Sequence, residues 1–439
     1  MILTRQLFTQ IPTNCFSWRF KVVSLDRLRK IALFNCRVNI NAVSLRKLRS
    51  AKLKVWQYFS ELFQCSELSV QNSAALKETA LGLIYRIERF RNMVGIVTEE
   101  LSEKIKSVQM VLIFLIVYLH GYHLMPYKTD SVNIFVQNLV SQEIARIAVP
   151  LFFMISGYLF FIGNHQGWQT YPEKWRRRCK TLLVPYILWS AIGLLVYWLL
   201  QKIPFAGPYF SHKLIKDYSF QELLLTLLWQ PVPYQLWFIR DLMFYTLLTP
   251  LIHALSVRSS AIAVLFIVFL WIFGPDAPGM ELHFLAFYWT GCFFAIHHIN
   301  ISDTRHRQFS RGLAILWGIL VCMNACAQAA QITLPGLIHR VTILTGISAF
   351  WYNFDFMENI FRKKSISRFI PFSFFIFVFH EPMLTALKKP ALALAGSPEN
   401  FAITRYLACP LMTFLVSIWT GMMLRRFFRP VYDILTGGR

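Results

Sequence analysis

The feature that most constrains this chain is a succession of long apolar runs. One of them, "VLIFLIVYLHGYHLMP", holds nine apolar or aromatic residues from Val111 to Leu119, followed by His120, Gly121, Tyr122 and His123. About ten such runs follow one another, near 108–124, 145–164, 181–200, 235–255, 260–274, 281–299, 311–328, 335–354, 366–386 and 403–424. A full bilayer crossing takes roughly 20 predominantly apolar residues in a helix. Composition agrees: 56% of residues are hydrophobic and only 15% charged, with a mean hydropathy of +0.46, against about a quarter charged in soluble domains. The predicted fold is therefore an all-α integral membrane protein, a bundle of about ten transmembrane helices.

The formal net charge of +23 would suggest nucleic acid in a soluble protein. Here it concentrates in short loops: "PEKWRRRCK", "HHINISDTRHRQFSR", "ENIFRKKSISR" and the end "RRFFRPVYDILTGGR", whereas "GPDAPGME" and "QITLPG" carry no Lys or Arg. Basic loops face the cytoplasm, so both termini are predicted to be cytoplasmic, and no nucleic-acid partner is expected. The eight cysteines form no CxxC pair; Cys322 and Cys326, four apart on one helix face, read as packing residues, and no metal is expected. Residues 1–105 form a basic N-terminal extension with no run long enough to span and no signal-peptide pattern. It is either a membrane-surface segment or sequence upstream of a compact start at Met93. Residues 106–428 form the transmembrane domain and 429–439 a short tail. The stretch "SFQELLLTLLW" (219–229) reads as interfacial.

Ionisable groups inside apolar runs are costly and mark functional candidates. At 1.5 Å per residue, His120 lies roughly 21 Å along the first helix and His380 roughly 18 Å along the ninth. Arg240 and Asp241 fall in the same layer, Arg146 begins the second helix near it, and Glu381 adjoins His380. Interhelical hydrogen bonding, an ion or proton pathway, and catalysis are all compatible with such a layer. Arg240 and Asp241 point about 100° apart on a helix, so each can meet a different element. They read either as an ion pair locking the bundle or as acceptor-binding and histidine-orienting groups. Trp237 and Phe238 offer a platform for a sugar ring or an interfacial anchor. Ser156 and Gly157 allow close helix approach, and Pro150, Pro185, Pro371 and Pro382 can bend helices and free carbonyls.

Five segments in order, "VYLHGYH", "ARIAVPLFFMISGYLFF", "WRRRCKTLLVPYILWS", "QLWFIRDLMFYTLLTPLI" and "FFIFVFHEPML", resemble the membrane-bound acyltransferase family 3 over roughly residues 106–428. The resemblance implies an enzyme of a bacterial cytoplasmic membrane. Such an enzyme takes an acyl group, most often acetyl, from cytoplasmic acyl-CoA and delivers it to a hydroxyl of an envelope polysaccharide or lipid-linked sugar. By that resemblance His120 is the essential first-helix histidine, Arg176, Arg177, Arg178 and Lys180 are the donor-binding basic cluster, and His380 with Glu381 is the late-helix histidine pattern. One departure stands out. Many members carry an arginine eleven residues before the histidine; this chain has Gln109, with Lys106 three residues earlier on the same face. The competing reading is a transporter or exporter of a glycan or its precursor, using the same polar layer. A third is a scaffold that has kept the fold and lost the chemistry.

Overall fold

The computed structural model describes residues 98–438 except 124–130, 163–169, 204–212, 259–260, 275–283, 302–306, 362 and 395–400. The extension through residue 97, with Met93, lies outside the described residues, all of which fall in the unit Ile84–Arg439. Among them the secondary structure is helical, with no strand.

Helix α1 (Glu99–Gly121) starts where Thr98 Oγ1 accepts from Leu101 N–H at 3.1 Å, with Glu99 and Glu100 in the first turn against the positive end of the helix dipole. Helix α2 (Ser131–Phe161) is one continuous span, but residues Asn138–Ile144 widen into a π-helical turn and Ala145–Ile147 tighten into a 3₁₀ turn. Helix α3 (Tyr171–Gln201) has the same habit at Cys179–Leu183. Each irregular stretch ends just before a proline, Pro150 or Pro185. Proline has no N–H for the carbonyl four residues back, so the regular ladder cannot run through it.

A short amphipathic α4 (Phe220–Leu228) follows, closed by a capping box between Ser219 and Glu222. None of its side chains is buried, as the interfacial reading of this stretch expects. Next come α5 (Trp237–Leu247) and α6 (Thr249–Arg258), bent by 56° at their junction. The bend has a local cause. Pro250 leaves the Thr246 carbonyl without its helical donor, and that oxygen accepts instead from Trp175 Nε1 at 3.0 Å and Thr249 Oγ1 at 2.6 Å.

The rest of the bundle comprises α7 (Ala261–Phe273), α8 (Leu285–Ile296), α9 (Arg307–Ala329), α10 (Gly336–Asn353), α11 (Asp355–Phe361), α12 (Ser373–Leu394), α13 (Ala402–Phe427) and α14 (Arg429–Thr436). Each of the ten predicted runs overlaps helix among its described residues, but the predicted count of about ten spans is not reached. Six helices among the described residues are long and apolar enough to cross a membrane, or seven if the bent pair is one span. Helices α7 and α8 are apolar but short, and α10 carries His339 and Arg340 within its run. Arg340 donates to the carbonyls of Trp271, Ile272 and Gly274 at 2.8–3.0 Å, satisfying the open end of α7. The outward faces of α7 and α9 expose Ile262, Leu265, Phe266, Phe269, Ile315, Leu316 and Ile319, the pattern of a lipid-facing surface. The protein is a multi-pass membrane protein.

Helices α2 and α8 cross with backbones in contact. A Cβ at Gly157 would collide with the Tyr288 carbonyl, and one at Gly291 with the Met154 carbonyl, so only glycine fits either position. Helix α1 lies against α2, α12 and α13. Lys104, with its side chain only 9% exposed, pairs with Asp355 of α11 at 2.9 Å. This central position of α1, packed along α12, sets up the site.

Candidate active site

The two predicted intramembrane histidines meet. His120 Nδ1 and His380 Nε2 are 2.8 Å apart. The ring centroids are 5.1 Å apart and the planes differ by 12°. That separation is near the largest two imidazoles bonded at this distance can have, so the rings join edge to edge and the hydrogen bond lies close to both planes.

The proton positions follow from the partners. His380 Nδ1 lies 2.6 Å from the Phe377 carbonyl and 3.3 Å from that of Ile376. A carbonyl only accepts, so Nδ1 of His380 carries the hydrogen. In the neutral ring Nε2 is then bare, and it accepts from Nδ1–H of His120. The chain of donation leaves the lone pair on His120 Nε2, which makes no hydrogen bond among the described residues. His120 is half-buried and His380 fully buried.

The surroundings hold the pair in place. Lys388 Nζ donates to the His120 carbonyl at 3.0 Å, and the Tyr234 ring meets the His120 ring edge-on at 5.0 Å. Glu381, 8% exposed, accepts from Thr385 Oγ1 at 2.9 Å and interacts with the Tyr234 hydroxyl. Pro382 strips the Val378 carbonyl of its helical donor, and Gln235 Nε2 fills the gap at 3.1 Å. Gln235 Oε1 is buried with no hydrogen-bond partner among the described residues. Arg146 lies within electrostatic reach of His120 and donates through Nε to Gln142 Oε1 at 3.0 Å.

The other predicted residues fall in different places. Arg240 and Asp241 bond each other, Nε to Oδ1 at 2.8 Å, although neighbouring helical positions diverge. The long arginine side chain spans the angle, and its Nη1 also donates to the Trp229 carbonyl at 2.7 Å, with the guanidinium 4.8 Å from the Trp229 ring. This is the ion-pair arrangement, tying α5 to the end of α4. Trp237 stacks on Phe284 at 5.7 Å within an aromatic cluster that includes Phe153 and Phe238. In the basic cluster, Arg176 and Lys180 are exposed, Arg177 pairs with Glu173 at 2.6 Å, and Arg178 alone turns inward.

Arg178 lines a cavity of about 610 Å³. Lys106 and Gln109 border it from α1, and Pro371, Ser373 and Phe377 from the α12 side. It reaches Ile116, one helical turn below His120, or about 6 Å along the axis. A smaller cavity of about 240 Å³ on the far side of Gly121 is bordered by His123, Lys388 and Arg405. Burial, and then the charges of Lys388 and Arg405, push the His123 imidazole below its ordinary range. Among the described residues no group of three His, Cys, Asp or Glu is arranged to hold a metal.

Sequence reasoning passed over Tyr234, Gln235, Thr385 and Lys388. The last two were findable, since Thr385 and Lys388 follow Glu381 at helical spacings of four and seven. Tyr234 and Gln235 sit before a helix start and gave no periodic signal.

A helical membrane protein with a hydrogen-bonded histidine pair, one turn from a cavity lined in part by Lys106 and Arg178, defines the class. Residues 103–422 match the family described as "Acyltransferase domain", and the chain belongs to this acyltransferase 3 family. It is also 23% identical over 361 residues to the succinoglycan biosynthesis protein ExoH of Rhizobium meliloti (strain 1021), covering 77% of this chain and 92% of that protein. No solved structure matches.

Proposed function

We propose that this protein is a membrane-embedded O-acyltransferase. It moves an acyl group from cytoplasmic acyl-CoA to a hydroxyl of an envelope polysaccharide or its lipid-linked precursor, in a bacterial cytoplasmic membrane. The observation that carries the reading is the relay from His120 through His380 to the Phe377 carbonyl, which leaves a basic lone pair on His120 Nε2.

Acyl transfer from a thioester needs a base for the attacking hydroxyl, a stabiliser for the tetrahedral oxyanion, and a hold on the donor. His120 Nε2 takes the hydroxyl proton as the oxygen bonds to the acyl carbon. The imidazolium that forms is held by its Nδ1–H bond to His380. Collapse of the intermediate breaks the C–S bond, and His120 returns the proton to the departing CoA sulfur. Arg146 is the nearby cation for the oxyanion. The 610 Å³ cavity takes the donor arm, with Arg178 and Lys106 at its mouth for the phosphates; arginine grips phosphate through paired donors. With both termini cytoplasmic, that mouth faces the acyl-CoA pool. Glu381 and the Arg240–Asp241 pair act by positioning helices α12 and α5 around this centre.

Acetyl-CoA is the first donor to test. The relative's name, succinoglycan biosynthesis, puts succinyl-CoA beside it. The experiment expresses the protein and its His120→Ala variant in membranes at matched levels, supplies each radiolabelled donor, and counts label in extracted glycan and glycolipid. Label with the parent and none with the variant supports the reading; equal label in both removes His120 from the chemistry. A parent that moves a labelled glycan across liposomes without acyl transfer would favour the exporter reading instead.

A further inference from the structure

A second polar centre lies beyond the histidine pair, at the opposite end of α1 from Lys106 and Gln109. The π-helical turn Asn138–Ile144 of α2 turns Asn138 and Glu143 inward. The Glu143 side chain is 0% exposed. Both carboxylate oxygens have partners: Oε2 accepts from Asn324 Nδ2 at 3.1 Å, and Oε1 accepts from Gln328 Nε2 at 3.1 Å and faces His339 Nδ1 at 3.3 Å. These groups border a cavity of about 470 Å³ between α2, α9 and α10, with Tyr122 at its edge.

The hydrogen-bond inventory says what this cavity can hold. Tyr122 donates to Asn138 Oδ1 at 3.1 Å, so both Asn138 amide hydrogens remain. Asn324 Nδ2 spends both hydrogens, on Glu143 and on Thr342 Oγ1 at 2.9 Å, so its oxygen remains. Gln328 retains one N–H and its oxygen, and His339 retains Nε2. The wall therefore offers neutral donors and acceptors side by side, which is the pattern of a sugar ring, whose hydroxyls each donate and accept. Other occupants fit less well. A cation would find a single carboxylate whose oxygens are already taken. An anion would meet the buried negative charge. An acyl or prenyl chain is better served by the apolar cavity between Leu151, Tyr158, Phe287 and Phe294.

The cavity also adjoins the chemistry. Tyr122 follows His120 by two residues, and Arg146 lies within electrostatic reach of His120, Tyr122 and Glu143 alike.

We infer that the Glu143 cavity is the subsite that receives an uncharged sugar unit of the acceptor glycan, gripped by Asn138, Asn324, Gln328 and His339. The assignment of the sugar as acceptor rests on the acyltransferase reading of His120, but its binding can be read without turnover. Full-length protein in detergent is titrated with cellotetraose, β-1,4-galactotetraose and tetragalacturonate, with no donor present, and binding is followed by calorimetry. The parent should bind one of the neutral tetrasaccharides saturably and in preference to the acidic one. Asn138→Ala, which leaves the bonds to Glu143 intact, and Gln328→Ala should each weaken binding about tenfold, as losing an amide's hydrogen bonds does. His120→Ala should bind within about twofold of the parent, since His120 does not border the cavity. In turnover the two amide variants should raise the acceptor KM. Unaltered binding in both amide variants, a preference for tetragalacturonate, or saturable binding of neither neutral sugar overturns the inference. A His120→Ala protein that still transfers acyl groups, while the amide variants lose sugar binding, would refute the base and leave the subsite standing.

Discussion

Replacing His380 by phenylalanine tests the relay most directly. The change keeps an aromatic ring among Phe375, Phe377 and Phe379 and removes both nitrogens. His120 Nδ1–H then loses its acceptor 2.8 Å away. The ground state suffers little, but the imidazolium formed in the transition state loses a hydrogen bond to a charged group, worth about 1.5–3 kcal/mol. At about 1.4 kcal/mol per factor of ten, kcat should fall roughly 10- to 160-fold. Removing the base itself costs more, on the order of 10²–10⁴, so His120→Ala must be the more damaging change. The donor KM should stay near the parent value, because the Arg178 cavity ends a turn below the pair.

The assay is initial-rate transfer of labelled acyl groups in membranes at matched expression, for the parent, both single variants and the double variant. Residues acting as one unit are not additive, so the double variant should be no slower than His120→Ala alone. Full activity in His380→Phe would show that the hydrogen bond does no catalytic work. A His380→Phe variant slower than His120→Ala would transfer the base to His380, and independent, multiplying losses would dissolve the relay into two separate contributions.

Three further outcomes follow from named contacts. Arg178→Ala should raise the KM for acyl-CoA about 10- to 100-fold, the worth of one charge-assisted phosphate contact, while Arg176→Ala, whose side chain is exposed, should stay within about twofold; equal effects would return the cluster to a topological signal. Gly291→Ala places a methyl group against the Met154 carbonyl, and overpacking of this kind costs about 1–3 kcal/mol, so the detergent-solubilised protein should melt at lower temperature, whereas Gly318→Ala, in a helix with open space around it, should not lower the melting point. The Lys213 ammonium and the Ser219 cap hold the Glu222 carboxyl down to about 2 from an ordinary value of 4.5. Because the folded value is the lower one, this contribution to α4 is complete above the ordinary value and is lost only as pH falls toward about 2; the protection of Leu223 and its neighbours against hydrogen exchange, relative to the intrinsic rate at each pH, should therefore be the same at pH 7 and 5 in the parent, and smaller at both in Glu222→Ala.

Some of this was legible before any coordinates, and the reason is physical. Apolar helices announce themselves because lipid demands long apolar runs, so each predicted run overlaps helix among its described residues, while six or seven are long enough to cross. Whether a run spans is less legible, since a bend or a short helix depends on single residues. Pro250 breaks α5 from α6 because Trp175, far away in sequence, is there to take the orphaned Thr246 carbonyl. The histidines were readable for the same reason as the spans, as polar groups in costly surroundings at similar depth. Depth alone could not say that they touch, because helix rotation is set by packing of α1 against α12.

The same cost argument applies to Glu143, a lone carboxylate in "FVQNLVSQEIARIAV". Its face is invisible to a 3.6-residue count, since the π turn shifts the register across Asn138–Ile144 and brings Asn138 and Glu143 to one cavity. Arg240 and Asp241, for which the ion pair is one of the two sequence readings, show the opposite case. Helical geometry separates adjacent side chains by about 100°, yet a long arginine closes that gap when its other nitrogen finds the Trp229 carbonyl. Period-based reading therefore serves residues with short side chains on regular helix, and loses its hold where the helix is irregular or the side chain long. In this chain those are the places where polar groups collect: the π turn brings Asn138 and Glu143 to one cavity, and Pro382, inside a span, frees the Val378 carbonyl that Gln235 answers two residues before His380.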